Sequence, residues 1–214
     1  MKKLIATLGL LALASASQAV TTLGGDVECN YNGASLGFIP FNNTAYLGCE
    51  LPLSIAVDDT VVLAKDSASL ELPIVWTLPG IVEVGNGSSA NATPSSVDHT
   101  LLQIEAGAQI AGSVNSESAL LISRGAGIEA VGTAEDSIVF SSVDDNYNRS
   151  QEWGGLIIAG FGQSNGCPND TGSCEMEGVA RGHYFGGGLT DNESPESTLE
   201  YVVIAEGGHI LRVS

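Results

Sequence analysis

A glycine-punctuated ladder of short aliphatic stretches constrains this chain more than any other feature. Leu101-Leu102-Gln103-Ile104-Glu105-Ala106-Gly107-Ala108-Gln109-Ile110 is followed by Leu120-Leu121-Ile122-Ser123-Arg124-Gly125-Ala126-Gly127-Ile128. The two superimpose with a shift of 18, which places Ile104 on Ile122, Gly107 on Gly125 and Ile110 on Ile128. A unit of this length cannot bury its own apolar face and must stack on a copy of itself. Period-two alternation and β-branched residues make the units strands, and glycines at 107, 112, 125 and 127 interrupt any helical reading. The expectation is an all-β parallel solenoid with successive turns about 4.8 Å apart. Ile104, Ile110, Ile122 and Ile128 should then point inward in stacked columns.

Other stretches extend the pattern. Residues 78–85, 137–141, 155–159 and 199–204 read as strand passages, and 160–195 as a long glycine-rich excursion. Residues 20–70 lack the repeat and carry turn-rich runs such as Asn30-Tyr31-Asn32-Gly33. Because a solenoid needs its first apolar rung covered, this segment is expected to be a small N-terminal cap, with the β-helix occupying 71–214. The chain stops inside a further strand-like run, Ile210-Leu211-Arg212-Val213. The β-helix is therefore expected to be incomplete at its C-terminal end and to self-associate through the open rung.

Residues 1–19 have the three parts of an export signal. Lys2 and Lys3 precede an apolar run from Leu4 to Ala14, and Ser17-Gln18-Ala19 is a small-x-small cleavage site. No cysteine follows directly, so a lipoprotein signal is not expected, and no later stretch is long enough for membrane insertion. The expected location is outside the cell, secreted or on its surface. Cys29, Cys49, Cys167 and Cys174 all follow the cleavage point, and an even count in an exported chain suggests disulfides. Three pairings are open. Sequence proximity favours Cys29–Cys49 and Cys167–Cys174, whereas the spacing does not resemble a zinc site.

The formal charge is −18, and removal of Lys2 and Lys3 takes it to −20. So acidic a chain lacks the basic stripe that nucleic acid requires. It also repels anionic lipid and polyuronate unless cations intervene. It suits solubility, a saline medium or bound divalent cations.

Three stretches together carry a family resemblance. The first is the ladder 104–126, and the second is Gly132-Thr133-Ala134-Glu135-Asp136-Ser137-Ile138-Val139-Phe140-Ser141-Ser142. The third is Glu152-Trp153-Gly154-Gly155-Leu156-Ile157-Ile158-Ala159-Gly160, followed by Tyr184-Phe185-Gly186-Gly187 and 199–204. Their order and spacing resemble exported bacterial right-handed parallel β-helix proteins with a Trp-Gly-Gly-Leu strand, mostly uncharacterised cell-surface or lipoprotein-type chains. The resemblance spans residues 75–210. It implies a right-handed coil and a longer full-length protein, and it carries over no catalytic residue.

Candidate sites are few. Trp153 beside two glycines could stack on a sugar ring, but the same motif suits a buried indole at a tight corner, and the structural reading is preferred. Asp144 and Asp145, with Asn146 and Asn148 close behind, form a dense run of oxygen ligands. They are the candidate calcium residues, although Asp and Asn also favour plain turns. Asp191-Asn192-Glu193 is a weaker case. His99, His183 and His209 lie far apart and form no metalloprotease or triad pattern. No cofactor is expected apart from that calcium.

Two functions follow. The first is a non-catalytic structural, adhesive or surface-binding β-helix with carbohydrate or other cell-surface partners. The second is a carbohydrate-active lyase or glycoside hydrolase, which would need facing carboxylates or a basic residue, with Arg124 and Arg149 as candidates. Exported protein is expected to begin at Val20, an intact mass showing loss of residues 1–19. Retention of Met1 in exported material would overturn the localisation.

Overall fold

The computed structural model describes residues 20–23, 29, 35–41, 44–114, 116–144, 150–167, 172–179 and 181–209. The expected signal peptide, Asp145, Arg149 and the terminal run 210–214 lie outside the described residues.

β1 (Val20–Leu23) precedes an antiparallel hairpin of β2 (Ser35–Phe41) and β3 (Thr44–Glu50). From β3 onward the chain visits three sheets in a fixed cyclic order. The first turn is β3, β4 (Ser54–Ile55) and β5 (Thr60–Leu63). The second is β6 (Ile74–Leu78), β7 (Ile81–Val84) and β8 (Leu101–Ile104). The third is β9 (Gln109–Gly112), β10 (Ala119–Ile122) and β11 (Gly127–Val131). The fourth opens with β12 (Ile138–Ser142) and β13 (Gly155–Ile158). A hairpin of β14 (Ser173–Glu175) and β15 (Tyr184–Gly186) then interrupts it before β16 (Thr198–Glu200) closes the turn. β17 (Val202–Ile204) begins a fifth.

Sheet I has the order β17-β12-β9-β6-β3-β2, sheet II β13-β10-β7-β4 and sheet III β1-β5-β8-β11-β16. Apart from β2 on β3, the pairings within these sheets are parallel. The molecule is an all-β parallel β-helix.

Neighbouring residues in a strand face opposite sides of a sheet. One set points into the coil and stacks in register. On sheet I the inner column runs Cys49, Trp76, Ile110, Phe140. On sheet III it runs Val61, Leu102, Ile128, and on sheet II Val84 meets Ile122. All of these side chains belong to one buried apolar cluster.

Two expectations are corrected here. The repeat begins at Thr44 rather than near residue 71, since β3, β4 and β5 pair in parallel with the strands of the second turn. Ahead of it, β2 covers an edge of sheet I as an added antiparallel strand, and β1 extends sheet III. Behind sheet I, Phe41 and Tyr46 meet edge to face at 5.6 Å and pack on Val75 and Ala111. The first turn escapes the sequence pattern because β4 is so short and its corners lack the glycine signature.

The register with a shift of 18 is also wrong. Ile104, Ile110, Ile122 and Ile128 are all buried, but Ile104 lies on sheet III and Ile122 on sheet II. The true stacking partners are Leu101 and Gly127 on sheet III, and Gln109 and Val139 on sheet I. The shorter shift matches two different corners of one turn. Both corners need a left-handed residue, Gly107 at φ +82° and Gly125 at φ +89°, so the same glycine recurs without marking a full repeat.

The excursion between β13 and β16 lies against the outer face of sheet II. Met176 packs there with Leu121 and Ala159, and Phe185 and Ile157 join them. Arg124 ties it down: the guanidinium donates to the carbonyls of Gly87 (2.9 Å), Ser89 and Gly186 (2.8 Å) and faces the Phe161 ring at 5.0 Å.

Ile110 is enclosed by Trp76 below and Phe140 above. Ile110→Ala should therefore cost about 2–5 kcal/mol, measured as a lowered urea midpoint with an unchanged slope.

Candidate functional site

The corner between sheets I and II in the last described turns gathers three carboxylates. β12 ends at Ser142, and the chain turns through Asp144. It returns through Gln151 and Glu152 into Trp153-Gly154-Gly155, where β13 starts. One rung on, the chain leaves β17 and passes the same corner through Glu206 to His209. Backbone hydrogen bonds lock the two passages together: Gln151 N–H to Gly207 O (3.0 Å), Glu152 N–H to Glu206 O (2.9 Å) and His209 N–H to Trp153 O (2.9 Å). Gln151 and Glu206 both hold left-handed backbones, at φ +69° and +61°.

The result is a cluster in which Asp144, Glu152 and Glu206 each offer one carboxylate oxygen within 4.8 Å of the others. Glu152 and Glu206 are only 4 % and 8 % exposed. Ser142 sits at the centre. Its N–H donates to Glu206 Oε2 at 3.1 Å. Its hydroxyl lies within bonding distance of Asp144 Oδ1 (3.2 Å), Glu152 Oε2 and Glu206 Oε2 (3.2 Å), yet it carries a single proton. Glu152 Oε1 and Glu206 Oε1 are shielded from solvent and, among the described residues, have no hydrogen-bond partner.

Of the residues expected to hold calcium, Asp144 is in this cluster and Asp145 lies outside the described residues. Glu152 and Glu206 join Asp144 without having been candidates on sequence. Glu152 stands in the Glu-Trp-Gly-Gly motif, and Glu206 precedes a similar Gly207-Gly208 pair, which is the only local signal.

Arg149 lies outside the described residues, and several other candidates have structural roles. Trp153 is fully buried and donates its indole N–H to Ala205 O at 2.7 Å, so the sugar-stacking reading does not apply. Arg124 is buried and engaged with backbone carbonyls, and burial pushes its guanidinium below its usual pKa. Asp191 closes its own turn by accepting from the Glu193 and Ser194 N–H groups and from the Ser194 hydroxyl. Partial burial pushes its carboxyl up, but those hydrogen bonds and the charge of His99 outweigh it, leaving it below the ordinary carboxylate range. His99 lies 3.8 Å from Asp58, and His209 Nδ1 contacts Gln151 O at 3.0 Å. Cys29 is bonded to Cys49 and Cys167 to Cys174, with Cα separations of 5.2 and 5.0 Å.

A separate groove of about 520 Å³ crosses the outer face of sheet II, where Glu83, Glu117 and His183 line it together. Among the described residues, Glu83 Oε1 there is buried without a hydrogen-bond partner.

A coil of three parallel sheets places the protein among the parallel β-helices. Residues 91–212, more than half of the chain, match the family model described as a pectate-lyase-like β-helix domain, and the chain belongs to that family. No curated protein and no solved structure matches it.

Trp153 owes its seat to Gly112. A Cβ at position 112 would stand 2.5 Å from the Trp153 Cβ and 2.9 Å from Ser118 Oγ. Gly112→Ala should cost about 1–3 kcal/mol through overpacking, read as a lowered midpoint in urea unfolding.

Proposed function

We propose that this chain is an exported, bacterial-type β-helix with a structural, adhesive or surface-binding role rather than a catalytic one. The observation that supports this most directly is the use made of Arg124. A polysaccharide lyase needs a basic side chain open to its substrate. Arg124 instead spends its donors on three backbone carbonyls and its face on Phe161. Lys65 is paired with Asp136 at 3.2 Å.

The two disulfides fit an oxidising compartment outside the cytoplasm. Among the described residues no helix is long and apolar enough to cross a membrane. The strongly acidic composition suits neutral glycans, basic surfaces or cation-bridged partners, and disfavours nucleic acid.

One observation favours the second reading, a carbohydrate-active enzyme. Glu83 and Glu117 share the sheet II groove, and paired carboxylates are the machinery of glycoside hydrolysis. The two readings separate in one experiment. The exported chain is incubated with cell envelopes and with a panel of neutral and acidic polysaccharides, and both retention and cleavage are measured. Retention without cleavage is expected. Release of reducing ends or unsaturated uronates, abolished by Glu83→Gln or Glu117→Gln, would overturn the non-catalytic role.

A further inference from the structure

We infer that Asp144, Glu152 and Glu206 form a binding site for a hard divalent cation, calcium by its chemistry, which staples the last turns of the coil together. The site stands whichever of the two functions is correct.

Ser142 cannot satisfy both buried glutamates. Ser142 brings one N–H and one O–H to a point where three carboxylates converge. The N–H goes to Glu206, and the O–H can serve one oxygen at a time. Glu152 Oε1 and Glu206 Oε1 remain buried and unpartnered among the described residues. A carboxylate oxygen shut away from water without a donor is costly, and an adjacent carboxylate raises that cost. Among the described residues no lysine, arginine or histidine pairs with Glu152 or Glu206. A cation between them supplies the missing charge and uses the free oxygens as ligands.

The donor set selects the kind of ion. Every ligand is an oxygen, without imidazole or thiolate, which favours calcium or magnesium over zinc or copper. Calcium binds oxygens at about 2.3–2.6 Å in irregular geometry. Oxygens lying within 4.8 Å of one another can share one such ion. Magnesium demands a near-ideal octahedron and retains several waters, which three carboxylates at a tight corner accommodate poorly.

The placement gives the ion a mechanical task. Asp144 follows β12, Glu152 precedes β13, and Glu206 follows β17. One ion therefore joins two consecutive rungs at one corner. It also ties the fourth turn to the rung that lies beyond the excursion.

The exported chain, stripped with a chelator, is titrated with calcium while its melting temperature and terbium luminescence are followed. Trp153, next in chain to Glu152, serves as the antenna when the indole is excited. The expected result is a saturable rise in melting temperature with calcium, reversed by chelation, and terbium emission that calcium displaces. Glu152→Gln and Glu206→Gln should each weaken calcium at least about tenfold, while Asp191→Asn leaves affinity unchanged. The titration of the unsubstituted chain stands even if a variant does not fold. Absence of both responses in that chain, or full affinity in folded Glu152→Gln and Glu206→Gln, would overturn the site.

Discussion

Backbone hydrogen bonding between successive turns is the interaction on which everything else in this molecule rests. Each inner strand satisfies its N–H and C=O groups on the rungs above and below it, so no turn is stable alone. The ladder closes only if all three sides advance by the same step. That equality is enforced from inside, where Trp76, Ile110 and Phe140 fill one column on sheet I while Leu102 and Ile128 fill another on sheet III. The largest ring in the column has a polar edge, and its indole N–H reaches Ala64 O at 2.8 Å. A bulky residue on one side is thus tolerated without a buried unmet donor.

Arg124 shows how the coil fastens material that is not part of it. It sits at the corner between sheets II and III, next to the left-handed Gly125. Its side chain reaches the 87–89 loop and Gly186 at the end of β15, so one guanidinium links two segments that are remote in sequence. Among the described residues no carboxylate balances it at these contacts; carbonyl dipoles and the Phe161 face do so instead. The apolar contacts of Met176 and Phe185 on sheet II complete the attachment. The arginine that the sequence offers as a base is a structural pin.

How much of this can be read from the sequence depends on the range of the signal. Strands of β-branched residues and corners that need glycine are local facts, so the all-β solenoid and most of its strands are legible. Register is not local. Gly107 and Gly125 look equivalent because both corners take the same left-handed backbone, and only the pairing of Leu101 with Gly127 shows which residues stack. The first turn is hidden for the opposite reason: Thr44–Glu50 and Ser54–Ile55 are strands without the corner glycine, so their kinship with later turns shows only in the pairing. At the acidic corner, Asp144 stands out because it lies in a dense oxygen-ligand run. Glu152 and Glu206 do not, since they are far apart along the chain and neither has an acidic neighbour.

In a stacked coil, the distance along the chain between two residues of one column depends on whatever loops intervene, while their distance in space depends only on the rung spacing. On sheet III one step runs from Leu101 to Gly127. The next, from Glu129 to Thr198, is far longer in sequence because the hairpin and its flanks are inserted there. The insertion leaves the parallel pairing on either side intact. Glu152 and Glu206 straddle it, yet they meet across a single rung by direct backbone hydrogen bonding. The corner that gathers the carboxylates is therefore insensitive to the length of the excursion. The excursion can change in shape or in what it binds, provided that the chain re-enters sheets III and I in register at Thr198 and Val202. Side-chain clusters in this architecture belong to columns rather than to motifs, and Glu152 at one corner of a turn meets Glu206 from the next rung.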